Sequence, residues 1–245
     1  MQLYSIETGL FKLDGGAMFG VVPKSIWSKI NPPDNNNLCT WALRCLLIQE
    51  GDRLILIDNG IGDKQDQKFF GHYYLHGDDT LDKSLAAHGF HRDDITDVVL
   101  THLHFDHCGG SIIREGDNLL PAFKKAVYWS NEEHWAWATK PNAREKASFL
   151  KENILPIQES GQLQFITSPL MDQGVEQVGG KKSALPHTSF TENISIQFAS
   201  GHTRGMMLPQ IRYKDKTIVY MADLLPSAGH IPLPYVMAYD MFPLT

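Results

Sequence analysis

The stretch "VVLTHLHFDHCGG", from Val98 to Gly110, decides how the rest of the chain reads. An apolar, β-branched run ends in three histidines and an aspartate within six residues: His102, His104, Asp106 and His107. The preceding "ITDVVLT" reads as a short strand buried on both faces, so the cluster stands at a strand end. Residues two apart in an extended backbone point the same way, which lets His102 and His104 reach one ion. Asp106 and His107 are adjacent and cannot prolong that row, but they suit a second ion close to the first. Imidazole nitrogen and carboxylate oxygen are the ligands of zinc-type divalent metals. By chance HxHxDH arises in roughly two per thousand chains of this composition, so a purely structural role for the cluster is disfavoured.

Upstream, "WALRCLLIQEGDRLILID" (Trp41 to Asp58) reads as two strands joined by the turn "QEGD". "DDTLDKSLAAHGF" reads as a helix capped by Asp79 or Thr80, with Leu81, Leu85 and Ala86 as its apolar stripe and Gly89 ending it. Downstream, "KKAVYWS" reads as a strand. "NEEHWAWATK" and "AREKASFLKENILP" read as helices, separated by Pro141 and stopped by Pro156. "GQLQFITS", "ISIQFAS", "LPQIRY" and "KTIVYMAD" return to strands, the last two forming a hairpin over "KDK". Strands, helices and strands again predict an α+β fold, with sheets packed face to face and helices outside. "NPPDNNN" is a loop. "KFFGHYYLHGDD" is aromatic without clean periodicity and reads as a loop pinned by buried rings, with a substrate-lining loop as the alternative. The tail "LLPSAGHIPLPYVMAYDMFPLT" is proline-rich and shows no closing strand or helix.

The chain has 245 residues, enough for a substantial core. No linker divides it, so residues 1–245 read as a single domain. The net charge of −6 counts against nucleic acid and anionic membrane as partners, because both reward clustered Lys and Arg. No signal peptide is legible, and no apolar run is long enough to span a bilayer. Three cysteines (Cys39, Cys45, Cys108) make no disulfide framework and point to a reducing cytoplasm.

"THLHFDHCGG" resembles the HxHxDH signature of the metallo-β-lactamase superfamily. Three further motifs follow in that superfamily's order: "LILIDNG" ending in Asp58, "SGHTRGM" with His202, and "VYMADLLP" with Asp223. The resemblance implies a four-layer αβ/βα sandwich with two mixed sheets. It implies that His102, His104 and His202 hold one metal, and that Asp106, His107 and Asp223 hold another, with Asp223 bridging. Asp58 would support the ligands from behind. Asp223 stands where the classical β-lactamases of this fold use a cysteine, which argues for an oxygen-and-nitrogen site with two metals. Dinuclear members complete the second metal with a late histidine. His230 is the sole histidine after Asp223, so the ligand lies past Thr245 in a closing segment that this sequence lacks, with His230 then a pocket-wall or supporting residue; the alternatives are that His230 substitutes or that the second metal is weakly held.

The run "ADLLPSAGHIPLPYVMAYD" resembles the lactonase and organophosphate-hydrolase branch. The implied activity is hydrolysis of an ester, lactone or phosphotriester by hydroxide shared between two divalent ions, zinc first and Mn, Co or Fe as alternatives. Asp106 would orient that hydroxide. The implied partner is a small molecule; a homodimer is allowed. The rivals are an iron-dependent oxidoreductase like the sulfur dioxygenases, and a nuclease of the same superfamily.

Other residues take structural readings. Cys108 is a small buried apolar group. Arg44, inside an apolar strand, needs a carboxylate partner ahead of a substrate anion. Trp129, Trp135 and Trp137 are packing residues, and His134 is helix surface or core. Histidines 72, 76, 88, 91 and 187 are not ligands. Tyr235 and Tyr239 are weaker candidates for the pocket wall.

Overall fold

The computed structural model describes residues 1–168 and 187–243. The chain opens with β1 (Gln2–Asp14), α1 (Gly15–Phe19) and α2 (Lys24–Trp27). The expected hairpin follows as β2 (Leu38–Glu50) and β3 (Arg53–Ile57), then α3 (Gln67–Gly71) and α4 (Leu81–Ala87). β4 (Asp97–Val99) leads into α5 (Phe105–Cys108), the small hairpin β5 (Ile112–Glu115) and β6 (Asn118–Pro121), and β7 (Val127–Ser130). α6 (Glu132–Thr139), α7 (Lys151–Glu159) and β8 (Leu163–Phe165) complete this half. After the undescribed residues come β9 (His187–Ser189), β10 (Ile194–Ala199), β11 (Met206–Tyr213) and β12 (Lys216–Val219).

The strands form a six-stranded sheet, β1-β2-β3-β4-β7-β8, and a four-stranded sheet, β12-β11-β10-β9. The first is mixed: β1–β2–β3 pair antiparallel, whereas β3–β4, β4–β7 and β7–β8 pair parallel. The second is antiparallel between all its described strands, where a mixed sheet is expected. Ile48, Ile55, Ile57 and Val99 of the first sheet meet Ile194, Ile196, Phe198 and Met207 of the second in one buried layer. Burying each such side chain contributes about 1.5–3 kcal/mol. On the other face of the large sheet, Leu85 of α4, Trp135 of α6 and Ile154 and Ile157 of α7 cover Leu56, Val98 and Tyr128. Residues 187–243 contain no α-helix, so an outer helical layer over the smaller sheet has no α-helix from this stretch.

Several elements differ from the sequence reading. β1 is not legible as a strand because a register shift between Glu7 and Leu10 breaks its alternation, with Gly9 at φ +129 within the bulge. α7 begins at Lys151 and runs through Pro156 rather than stopping there. The proline costs one intrahelical bond, which the burial of Ile154, Pro156 and Ile157 offsets. Residues 143–148 are turns, because Asn142 Oδ1 accepts the backbone N–H groups of Arg144 and Glu145 and diverts them from a helix. The aromatic stretch from Lys68 to Asp79, read as a loop, opens inside α3, and its rings are half-buried rather than buried: Phe69 and Tyr73 pack on Phe105 with ring centroids 5.3 and 4.7 Å apart.

Asp97 ties the large sheet together. Its carboxylate accepts from Arg53 (3.0 and 2.6 Å), Thr96 Oγ1 (2.6 Å) and Trp129 Nε1 (2.8 Å). Burial pushes its pKa up, but these donors outweigh burial and hold it below the ordinary carboxylate value. A depressed folded-state pKa stabilises above the unfolded value of about 4 and is lost as pH falls through the folded one. Asp97→Ala is therefore expected to cost about 2–3 kcal/mol at neutral pH by denaturant titration, with the gap from wild type closing below about pH 4.

Candidate metal centre

The site forms where strand ends of both sheets converge. Asp58 follows β3, the HxHxDH loop follows β4, His202 lies between β10 and β11, and Asp223 sits on a turn after β12. The strand expected to run to Asp223 stops at Val219. A tight turn with Ala222 at φ +45 then presents the carboxylate. Asp58 is likewise held at φ +56, a conformation that costs energy in any residue with a Cβ and clusters at functional sites. Two glycines let the ligand loop lie against residues 59–62. A Cβ on Gly109 would fall 2.0 Å from the Ile61 carbonyl oxygen, and one on Gly110 would fall 2.2 Å from that of Asn59.

Two groups of donors could each hold an ion: His102, His104 and His202; and His102, His107 and Asp223. His104 Nδ1 and His202 Nε2 are 3.0 Å apart. Asp223 faces both groups, with Oδ1 3.2 Å from His107 Nε2 and Oδ2 3.5 Å from His202 Nε2. The first group matches the expected trio. In the second, His102 stands beside His107 and Asp223 where Asp106 was expected; Asp106 Oδ2 is 3.7 Å from His107 Nε2.

The outward nitrogens explain the ring orientations. His104 Nε2–H donates to Glu145 (3.0 Å), His107 Nδ1–H to Asp58 (2.9 Å) and His202 Nδ1–H to Asp240 (3.0 Å). Each carboxylate fixes a tautomer that leaves the other nitrogen's lone pair free for a metal. Asp58 also accepts from the Thr101 N–H and hydroxyl, joining two strand ends. His102 is fully buried; its Nδ1 meets Thr101 Oγ1 at 3.1 Å, and its Nε2 has no hydrogen-bond partner. An orphaned buried nitrogen among three more imidazoles and two carboxylates fits a zinc-type ion, because that donor set lacks only the cation.

The electrostatics agree. Burial first, and the neighbouring imidazoles second, drive the His102 pKa well below its ordinary value; burial takes His104 to about 4. Burial acts the same way on His107, but the carboxylates of Asp223 and Asp106 outweigh it and raise that pKa. Burial raises the Asp106 pKa. For Asp223, burial is overcome by His107 and His202, which pull its pKa down.

Glu145 and Asp240 carry no sequence signal of their roles, since each is a lone carboxylate in a polar or irregular stretch. Glu145 is buried and also accepts from Thr203 Oγ1 and from Trp137 Nε1 (2.7 Å), so Trp137 does more than pack. His134 is core, as one of its two readings has it, and it braces the site: the Leu103 N–H donates to its Nε2 (2.8 Å), and its Nδ1–H donates to the Arg204 carbonyl (2.6 Å). Lys64, also unforeseen, is buried under the ligand loop and donates to the Gly109 carbonyl at 2.5 Å; burial lowers its pKa to about 8.

His230 does not act as a substitute ligand. Its Nε2–H donates to the Met18 carbonyl (2.8 Å), its Nδ1 accepts from Ser227 (2.8 Å), and its ring stacks on Phe19 at 4.5 Å. Both nitrogens are used, and it stands outside the two donor groups. Cys108 is buried, as expected. Arg44 pairs with Glu7 at 2.5 Å, as expected, while its residue also borders the cleft. Tyr235 packs edge-on to Phe19. The tail is tied to the site through the Met241 N–H, which donates to the His202 carbonyl at 3.0 Å, and the Phe242 N–H, which donates to the Gly201 carbonyl at 2.8 Å. A cleft of about 560 Å³ opens onto Asp106, His107 and Asp223, with Phe11, Leu13, Trp41 and Leu225 among its walls.

Residues 44–164 match the family profile of the metallo-beta-lactamase superfamily. An N-acyl homoserine lactonase of Bacillus thuringiensis is 28% identical over 120 residues, 45% of this chain and 44% of the relative, so the match spans less than half the length of that curated protein. A probable metal-dependent hydrolase from Staphylococcus aureus superposes with a TM-score of 0.85 at 28% identity, over 99% of this chain and 79% of that one. AidC, a dizinc quorum-quenching lactonase solved with a product, gives 0.70 at 21% identity, over 98% and 78%. The profile match begins in the hairpin strand, runs through the HxHxDH loop and ends in β8, and the fold is shared over nearly the whole chain: the protein has the metallo-β-lactamase fold, with the superfamily's sequence match carried by residues 44–164.

Proposed function

We infer that the protein is a metal-dependent hydrolase that cleaves an ester, lactone or phosphotriester bond of a small, partly apolar molecule. The observation that carries this reading is the orphaned Nε2 of His102, set among three imidazoles whose outer nitrogens are each held by a carboxylate. His102, His104 and His202 would hold one divalent ion, zinc first. His107, Asp223 and Asp106 would hold a second, with Asp223 facing both. When bound, such ions supply Lewis acidity toward a carbonyl or phosphoryl oxygen and make hydroxide available near neutral pH.

The chain's own residues do the rest. Glu145, Asp58 and Asp240 keep the rings from turning, so the donors are preorganised. Asp106 lines the cleft, where its carboxylate can orient the attacking water and accept its proton. Phe11, Leu13, Trp41 and Leu225 exclude bulk water and seat the organic part of the substrate. The N-acyl homoserine lactonases among the relatives support the ester and lactone end of this range.

The test is chelation followed by reconstitution with Zn, Mn or Co, assayed on aryl esters, lactones and a paraoxon-like triester. Activity is expected to fall at least about a hundredfold on chelation and to return with the metal. Undiminished turnover by metal-free protein would end the hydrolase reading. Inactivity on this panel together with cleavage of a charged phosphodiester would reject the substrate class, and stoichiometric iron with oxygen uptake would favour redox chemistry.

A further inference from the structure

His104 and His202 belong to one donor group but to loops of different sheets, and a single turn at residues 142–145 grips the partners of both. Asn142 shapes that turn, its Oδ1 accepting from the N–H groups of Arg144 (2.9 Å) and Glu145 (3.0 Å). Glu145 reaches inward. Its Oε1 accepts from His104 Nε2–H and from the hydroxyl of Thr203, the residue after His202. Arg144 is exposed and reaches the other way; its guanidinium donates to the carbonyl of Ala238 and, at 3.4 Å, to that of Asp240. Its described partners are thus backbone carbonyls rather than carboxylates.

The stretch that Arg144 holds carries Asp240. Residues 231–240 contain no helix or strand, so separate hydrogen bonds, rather than a regular backbone, place this carboxylate. Its Oδ1 accepts from His202 Nδ1–H (3.0 Å) and its Oδ2 from the Met237 N–H (3.0 Å). The Ala238 N–H donates to the Ala17 carbonyl at 2.9 Å, which anchors the stretch from a second side. A side chain is held no better than the backbone beneath it, and Arg144 bonds the backbone of Asp240 itself and of Ala238. Glu145 thus fixes one ring of the pair directly. Arg144 fixes the other at one remove, with His104 Nδ1 and His202 Nε2 facing each other at 3.0 Å.

We infer that Arg144 is a positioning residue for the ion that His102, His104 and His202 would hold; the inference rests on the metal-dependent reading above. The sign of its effect separates positioning from charge. A guanidinium repels a divalent cation, so on charge alone the loss of Arg144 should tighten metal binding. Positioning predicts the reverse. Without the clamp, Asp240 no longer stays where it meets His202. The imidazole can then turn or change tautomer, and its Nε2 lone pair is no longer preorganised for the ion. Because the side chain is exposed and bonds neutral carbonyls, its removal should cost the metal-free fold little.

Zinc affinity of Arg144→Gln, Asp240→Asn and the double variant, read by competition with a chromophoric chelator, tests this. Asp240→Asn is expected to weaken binding at least about tenfold, and Arg144→Gln about fivefold because it acts through Asp240. In the Asp240→Asn background, Arg144→Gln should cost nothing further, since the carboxylate it positions is gone. The thermal midpoint of the chelated Arg144→Gln protein should match that of chelated wild type. Unchanged or tighter zinc binding by Arg144→Gln overturns the inference while leaving the metal-dependent reading in place. So does an equal loss in both backgrounds. So does a chelated variant whose midpoint falls in step with its affinity, which would make Arg144 a clamp on the fold alone. Failure of the wild type to bind zinc, manganese or cobalt overturns both readings.

Discussion

His102→Leu is expected to abolish retention of metal through gel filtration and to lower kcat/KM by at least about a thousandfold, since lost Lewis-acid stabilisation of several kcal/mol costs a factor of ten per 1.36 kcal/mol. His102 belongs to both donor groups, so its loss removes a donor from each. The same variant makes a second, opposite prediction. In metal-free protein the His102 Nε2 is buried without a partner. An apolar side chain of similar volume removes that unsatisfied acceptor, so the leucine variant should leave the thermal midpoint of the chelated protein unchanged or raise it. In the presence of zinc the order reverses, because wild type gains the binding free energy of the ion and the variant does not. Scanning calorimetry with and without metal separates the two cases. A variant that is equally destabilised in both would mean that His102 is a packing residue and not a ligand.

Asp58→Asn is expected to lower metal affinity by about 10- to 100-fold, measured by competition with a chromophoric chelator. The choice of asparagine isolates the charge. It tolerates the left-handed backbone at φ +56, and one oxygen remains to accept from Thr101. What is lost is the acceptor for His107 Nδ1–H, 2.9 Å away, replaced by an amide N–H that opposes it. His107 can then turn or change tautomer, and its inward nitrogen no longer faces Asp223. Because Asp58 touches no substrate, the loss in kcat/KM should track metal occupancy and be recovered at high zinc. A loss that persists at saturating zinc would give Asp58 a role beyond holding His107. Glu145→Gln should behave in the same way through His104, with a similar loss of affinity.

The contrast between these carboxylates shows what a linear reading can reach. Asp58 is legible through the resemblance, because "LILIDNG" is similar to the superfamily's early motif; by local pattern alone it reads as an ordinary strand-end aspartate. Glu145 is not, because nothing within a few residues of it signals that it will be buried 3.0 Å from His104. Asp240 lies in a segment without periodicity, and it finds His202 only through contacts spanning 38 residues. His134 is ambiguous for the same reason: its partners, Leu103 and Arg204, come from other parts of the chain.

The sequence by itself marked the candidate donor types, the strand that precedes them, and the pairing of His102 with His104, because those depend on neighbours a few residues apart and on the two-residue period of an extended backbone. It also determined the hairpin of β2 and β3 and the layered class of the fold, which follow from apolar patterning. The tertiary structure decided the rest. It made His102 common to both donor groups, set Asp106 beside His107 at the cleft, engaged both nitrogens of His230 with Ser227 and Met18, and carried α7 through Pro156. Each of these outcomes depends on which distant groups share one buried volume or one patch of surface, and local spacing carries no record of that.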